Sequence, residues 1–312
     1  MNQKSGTLTS AVVPADISSA ETYEKITAFL DEGDIPNAID LFERLAEDYE
    51  RGVHTPHNAA IETGVPAFLS TFLAKSGGTY LHNHLVATGV YDLQHSTHTR
   101  WDMARAYFIP SRLRLFLKGG TCNHTHMRPL PWNVTQMKVA GVRRFWIHAR
   151  DPRQSAVSTY WHGRGEGQGS DPHLAARRIA EDLATREARK RGQTVGVPDP
   201  FALDYDQQLR VHFDERIGWL TEWSDIRPQL PFDVLVTTHE QMVADMVAFE
   251  ETVLHFFDAP DWMSGAFGAV LPHDRFRKGS TDEWKATIGQ ETKDWMAERL
   301  PQRVADFYRW QI

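Results

Sequence analysis

Lys75-Ser76-Gly77-Gly78-Thr79 brings a cation, a hydroxyl and two residues without side-chain bulk into one short turn. Ser76 and the glycines let successive backbone N–H groups converge. Thr79 opens a helix whose N-terminus favours an anion, and Lys75 adds a mobile point charge. That is chemistry for holding a phosphate. The pattern differs from the P-loop GxxxxGK[ST] because the lysine precedes the glycines, and taken alone it reads equally as a structural tight turn.

Two further segments suit the same ligand class. In HARDPRQSAVSTYW, Arg150 stands at a strand end and Ser158 lies on the following helix; a guanidinium with a nearby hydroxyl fits a phosphate monoester. The alternative is Arg150 paired with Asp151 or another carboxylate in a structural turn. Phe276-Arg277-Lys278-Gly279 sets two adjacent cations beside a glycine, again suited to phosphate, with an exposed basic loop as the alternative. GGTCNHTHMRPLP carries Cys122, His124 and His126 with period two, so an extended backbone turns all three to one side. Such a C-x-H-x-H set could ligate zinc or copper, although no fourth ligand lies close in sequence, and the expectation is no metal.

The elements that must position these residues repeat one unit. An apolar run over 66–73 predicts a strand, the small-residue turn follows, and 79–88 reads as a helix. The second unit has a strand over 145–148, a polar turn at 150–153 and a helix from about Gln154. A third strand over 232–237 runs into a helix over 242–257. Strand, loop and helix in repetition predict an α/β fold with a central, mostly parallel sheet flanked by helices, P-loop-like in its first unit. Between the units lie the loop 163–169 and helices over 173–192 and 201–226. The final helix, over 293–310, should start afresh or kink at Pro301.

Ahead of this domain (64–312), residues 1–20 read as a mobile tail and 21–63 as a helical hairpin extension turning at 32–36. The second hairpin helix is like one helix of a tetratricopeptide repeat, but it occurs in one copy where a solenoid needs about three. It is therefore expected to pack on the main domain.

The order KSGGTY, T-H, RDPRQSAVS, HEQM, then FRKG with a following WK resembles the cytosolic-type sulfotransferases. Their motifs read KSGTTW, KTHLP, RNPKDVAVS, YEDM and RKG with DWK. The resemblance runs from Val65 to Lys285, about 70% of the chain. It implies a sulfotransferase fold and, as donor, 3′-phosphoadenosine 5′-phosphosulfate (PAPS), with adenosine 3′,5′-bisphosphate (PAP) as product and no metal required. Carried over, Lys75, Ser76, Gly77, Gly78 and Thr79 surround the 5′-phosphosulfate and Tyr80 stacks on adenine. Arg150, Ser158, Arg277, Lys278 and Gly279 hold the 3′-phosphate. The chain departs from the pattern at Tyr80, where the family often has Trp, and at His239, where it has Tyr near adenine. His126 matches the T-H histidine and is the expected general base, its ordinary pKa of about 6.5 suiting proton removal near neutrality. His124, standing where the family has Lys, is the reserve candidate, and Lys75 meets charge on the leaving phosphate.

The implied function is sulfuryl transfer to a hydroxyl or amine of a small-molecule acceptor, a metabolite or natural-product intermediate, with a carbohydrate as alternative. A P-loop kinase using ATP is the rival enzyme and would need Mg²⁺ ligands; a non-enzymatic interaction module is the rival outside enzymes. Trp161, Tyr205, Trp219 and Trp223 are candidates for walls of the acceptor pocket, or else core. A formal charge of −7, with 34 basic and 41 acidic residues, argues against a surface built for nucleic acid or anionic membrane. No apolar run nears the roughly 20 residues of a membrane span. With one cysteine, Cys122, the reading is a cytoplasmic protein, with monomer and homodimer both open.

Overall fold

A computed structural model describes residues 28, 29, 32, 34, 37, 38, 40, 41, 61–93, 97, 106–163, 204–267 and 280–310. The expected tail, most of the hairpin, the loop and helix between 164 and 192, and the run containing Phe276, Arg277, Lys278 and Gly279 lie outside them.

The sheet is built around one stretch, which forms β1 (Ala67–Phe68) and β2 (Ser70–Phe72). On one side β1 pairs in parallel with β4 (Thr121–Cys122), which in turn pairs with β3 (Tyr91–Asp92). On the other side β2 pairs in parallel with β5 (Arg144–Ala149), and β5 with β6 (Asp233–Thr238). At Leu69 the chain changes ladder: its carbonyl accepts from Trp146 N–H at 2.9 Å, while Ser70 N–H turns to the Asn123 side chain at 2.8 Å. The strands thus lie in the order β3, β4, β1/β2, β5, β6.

Side chains alternate across this central stretch as the pleat requires. Leu69, Leu73, Phe145 and Ile147 enter one apolar core, whereas Phe68, Phe72 and Trp146 enter the other. The first is covered by α5 (Tyr205–Ile226), through Leu209, Phe213, Leu220 and Trp223. The second is covered by α1 (Gly78–Ala87) and by α7 (Met246–Phe256), through Leu81, Leu85, Phe249 and Val253. Burial on both faces of β2 and β5 explains why these strands read as nearly continuous apolar runs. The α/β expectation, a parallel sheet flanked by helices, is met.

The remaining helices are α2 (Pro110–Phe116), α3 (Pro131–Val139), α4 (Pro152–Gly163), α6 (His239–Ala244), α8 (Glu283–Thr287), α9 (Gln290–Arg299) and α10 (Gln302–Tyr308). Pro301 separates α9 from α10 as expected. The helix expected over 242–257 is instead two, because Asp245 leaves helical geometry (φ −153°, ψ 95°) and its side chain accepts from Ala248 N–H to cap α7. Trp219 and Trp223 are fully buried in the core, each donating its indole N–H to the Met127 carbonyl, so neither is a pocket wall. Near the start of the chain, Ala28 and Phe29 are helical, as are Asn37, Ala38, Asp40 and Leu41, with a turn at Glu32. Phe29, Ala38 and Leu41 pack against Ile109 and Trp132 of the main domain.

From the central stretch the chain moves to β3 and β4 on one side, and from β5 to β6 on the other. In open parallel sheets, the carboxyl ends of adjacent strands whose connections diverge form a crevice where ligands bind. Here that crevice lies between the ends of β2 and β5, where Lys75 and Arg150 emerge.

Candidate active site

The loop from β2 to α1 makes a tight passage. Lys75 and Gly77 both adopt positive φ (65° and 95°), a conformation glycine tolerates freely and lysine does not. Gly77 caps α1 with no side-chain hydrogen bond, and no described residue accepts from the N–H groups of Gly77, Gly78, Thr79 or Tyr80. The Ser76 hydroxyl is buried and has no partner among the described residues. A buried orphan hydroxyl beside free helix N-terminal N–H groups fits an anion in this loop. Gly78 is small for a different reason: a Cβ there would lie 2.6 Å from the Phe72 ring and 2.9 Å from His124 Nε2. Its missing side chain serves packing under the loop.

Arg150 emerges beyond β5 and is buried. One guanidinium N–H donates to the Lys75 carbonyl at 2.7 Å and another to the Ser280 carbonyl, the residue following Gly279. Asp151 pairs with Arg153 at 2.6 Å, and Arg153 lies over the Trp284 ring at 4.0 Å. The alternative pairing of Arg150 with Asp151 is not what the chain adopts. On α4, the hydroxyl that meets the loop is Ser155, donating to the Ala74 carbonyl at 2.6 Å. Ser158, one turn on in the same helix, is half-buried, and its hydroxyl meets no described residue.

His124 and His126 are placed by an extension of β4. The Asn123 amide mimics a strand neighbour, accepting from Ser70 N–H and donating to the Ser70 carbonyl, both at 2.8 Å. Phe72 N–H then donates to the Thr125 carbonyl at 2.9 Å. This register brings the His126 Nδ1–H onto the Phe72 carbonyl at 2.7 Å, leaving Nε2 to carry the lone pair. Burial pushes the His126 imidazole down to about 4 against the pull of that hydrogen bond, and the charges of Arg216 and Lys75 push the same way. His126 is half-buried, so its residual exposure moderates the push. The His124 ring is buried, 5.2 Å from His126 and 5.3 Å from Phe72, with Nε2 toward Gly78. Behind it, His82 is 3.6 Å from the buried Cys122 thiol and 3.4 Å from Asp92. Among the described residues, no three His, Cys, Asp or Glu side chains converge as metal ligands.

Tyr80 packs its ring 4.2 Å from that of His84 and donates its hydroxyl to the Phe267 carbonyl at 3.0 Å. The Glu250 carboxylate grips the same turn, accepting from the N–H groups of Gly265, Ala266 and Phe267. His239 is buried under the loop, with Nδ1 3.0 Å from the Ser76 carbonyl. The structure therefore brings Lys75–Tyr80, His124, His126, Arg150 and His239 together at one sheet end. Sequence reasoning missed Ser155, His148, Arg216 and Glu250. A Ser155–Ser158 pair one helical turn apart was a signal for the first; the others show none.

No family model matches the chain, and no curated protein does. Among solved structures it is similar to the mouse sulfotransferase SULT7A1 complexed with PAP, at 14% identity over 78% of this chain and 86% of that one, with a TM-score of 0.47. It is also similar to retinol dehydratase in a complex with retinol and PAP, at 14% identity over 80% of this chain and 84% of that one, with a TM-score of 0.40. Likeness at this level bears on neither activity nor ligand.

Proposed function

We propose that the protein is a sulfotransferase that moves a sulfuryl group from PAPS to a hydroxyl or amine of a small-molecule acceptor. The observation that carries the reading is the meeting of three separate stretches at one loop. His126 hangs on the Phe72 carbonyl at its start, while Arg150 ties the Lys75 carbonyl in its middle to Ser280 beside the Arg277-Lys278-Gly279 run.

When bound, PAPS supplies a sulfuryl group on an anhydride oxygen whose departure leaves negative charge. Lys75 and the N–H groups of Gly77, Gly78 and Thr79 are the groups that stabilise such charge without rearranging. The Phe72 carbonyl fixes the tautomer of His126, so that Nε2 takes the acceptor's proton. His124, between Gly78 and His126, is the reserve base. Ser158, with its hydroxyl unengaged, and Arg277 and Lys278 are assigned to the 3′-phosphate. Arg150 takes part at most with those N–H groups not already given to carbonyls. Tyr80 offers adenine one ring face, the other lying toward His84. A cytoplasmic location, with no nucleic acid or membrane partner, belongs to the same reading; no helix among the described residues is long and apolar enough to cross a membrane.

Thermal shift separates the readings. PAP should raise the melting temperature without metal, and ATP with Mg²⁺ should not; the reverse outcome would replace sulfuryl transfer by a kinase. Mass spectrometry of a metabolite extract incubated with the protein and PAPS should then show acceptors gaining one SO₃.

A further inference from the structure

Three consecutive carbonyls of the loop are all held by side chains from β5, the residue that follows it, α4 and the start of α6. The Ala74 carbonyl accepts from the Ser155 hydroxyl at 2.6 Å and the Lys75 carbonyl from Arg150 at 2.7 Å. The Ser76 carbonyl lies 3.0 Å from His148 Nε2 and 3.0 Å from His239 Nδ1. A carbonyl can accept but not donate, so both rings present N–H there. His148 is thereby left with an acceptor at Nδ1, which takes the Thr237 hydroxyl at 2.8 Å. Thr237 in turn accepts the Trp146 indole N–H at 2.7 Å. Donation runs one way, from Trp146 through Thr237 and His148 to Ser76, and all four residues are buried.

Every described peptide bond is trans. In a trans unit the carbonyl and the N–H point to opposite sides, so drawing the Ser76 carbonyl toward the two imidazoles turns the Gly77 N–H away from them. No described residue accepts from that N–H. Gly77 has the conformational freedom to let the Ser76–Gly77 unit turn over, which would put a carbonyl where an anion must sit.

We propose that His148 and His239 are positioning residues for the anion loop: by holding the Ser76 carbonyl from below, they direct the Gly77 N–H at the bound anion. This rests on the loop being the donor's site. Burial keeps His148 neutral, pushing it down to about 3, so its Nδ1 remains an acceptor for Thr237.

The test is calorimetric titration of the full chain with PAP, and separately with inorganic pyrophosphate. His148→Phe keeps the ring in its aromatic surroundings without the donor, and both it and His239→Phe should weaken binding about tenfold. His148→Gln, which restores an N–H donor, should recover most of the loss. Phe249→Leu, a core change against the His148 ring, should lower the melting temperature with affinity within about twofold, as expected of lost packing alone. In ¹⁵N spectra the Gly77 amide should shift on binding in the wild type and not in His148→Phe. Unchanged affinity in His148→Phe, or an equal loss in Phe249→Leu, would overturn the positioning role. If the wild type binds pyrophosphate with this variant pattern but ignores PAP, the donor assignment fails and the positioning role stands. If it binds neither, both fail.

Discussion

At the scale of single residues, the proposed transfer divides its work between Lys75 at one end and His126 at the other. Lys75→Ala removes the cation nearest the developing charge, and His126→Ala removes the proton acceptor. Each should lower turnover by about 10²-fold or more, with near-wild-type circular dichroism and melting temperature, since neither side chain belongs to the apolar cores. A largely active His126→Ala would move the base to His124. The His126 imidazole carries a second expectation. Burial is the main cause of its lowered pKa, with the charges of Arg216 and Lys75 adding to it; an anion in the loop offsets the charge of Lys75, so binding of PAP should raise the pKa from about 4 by that smaller share. The imidazole ¹H–¹³C resonance of His126, followed against pH with and without PAP, reads this directly. In the free protein, kcat/KM should show no limb from this group near 6.5, because the base stays unprotonated until the pH approaches its lowered value.

Local chemistry was readable where the residue type alone implied it: a small-residue turn with lysine, an arginine at a strand end, a histidine after threonine. The supporting residues were not readable. His148 and His239 meet the Ser76 carbonyl across 72 and 163 residues of chain; nothing local marks His148, and the HEQM motif pointed His239 to adenine rather than to this carbonyl. On α4 the sequence reading named Ser158, and only the rotation of the helix about its axis shows that Ser155, one turn earlier, reaches the loop.

At the scale of elements, the strands of the three strand–loop–helix units were legible as apolar runs, whereas β3 and β4, only two residues each, and the short helices α2, α3 and α8 carry too little periodicity to be read. The errors came where side chains decide backbone geometry. Asp245 breaks a helix that periodicity made continuous, because capping the next helix competes with extending the first. Trp219 and Trp223 lie on the face of α5 that meets the sheet, which composition could not tell from a pocket wall. The turn at 265–267 rests on another such side chain. Glu250 on α7 satisfies three successive N–H groups there, and Tyr80 and His84 on α1 hold its carbonyls. Glu250→Gln replaces one accepting oxygen by a donor in a buried place. It should cost about 1–3 kcal/mol in urea unfolding and weaken PAP binding more than it lowers kcat, because the turn leads into the stretch bearing Arg277 and Lys278. An effect on kcat alone would detach this turn from the donor.

At the scale of the whole molecule, a chain of formal charge −7 brings Lys75, Arg150 and Arg216 together at one sheet end, so net charge concealed the site. Burial of histidines has a global effect as well. His126 and His212 are pushed down to about 4 and His148 to about 3, in each case chiefly by burial. Between the ordinary value and these, the unfolded chain binds protons that the folded one does not, so stability is full above about 6.5 and falls as the pH drops toward 4. Each fully buried imidazole contributes a slope of up to about 1.4 kcal/mol per pH unit, and half-open His126 less. The urea midpoint should therefore fall steadily from pH 7 to pH 5, and His212→Gln should flatten the decline. An unchanged slope in that variant would assign the acid sensitivity to other groups.

Cys122 ends β4 and is fully buried, its thiol pushed well up by burial and by nearby Asp92. It is the chain's one cysteine. Because thiolate is the reactive form and the folded protein suppresses both ionisation and access, a maleimide can label the protein only during excursions that open the sheet. Labelling kinetics then become a clock for those openings, readable by a mass increase at a single position without any engineered probe. Since Cys122 lies four residues before His126, a ligand that closes the neighbouring crevice should slow that clock in proportion to its occupancy.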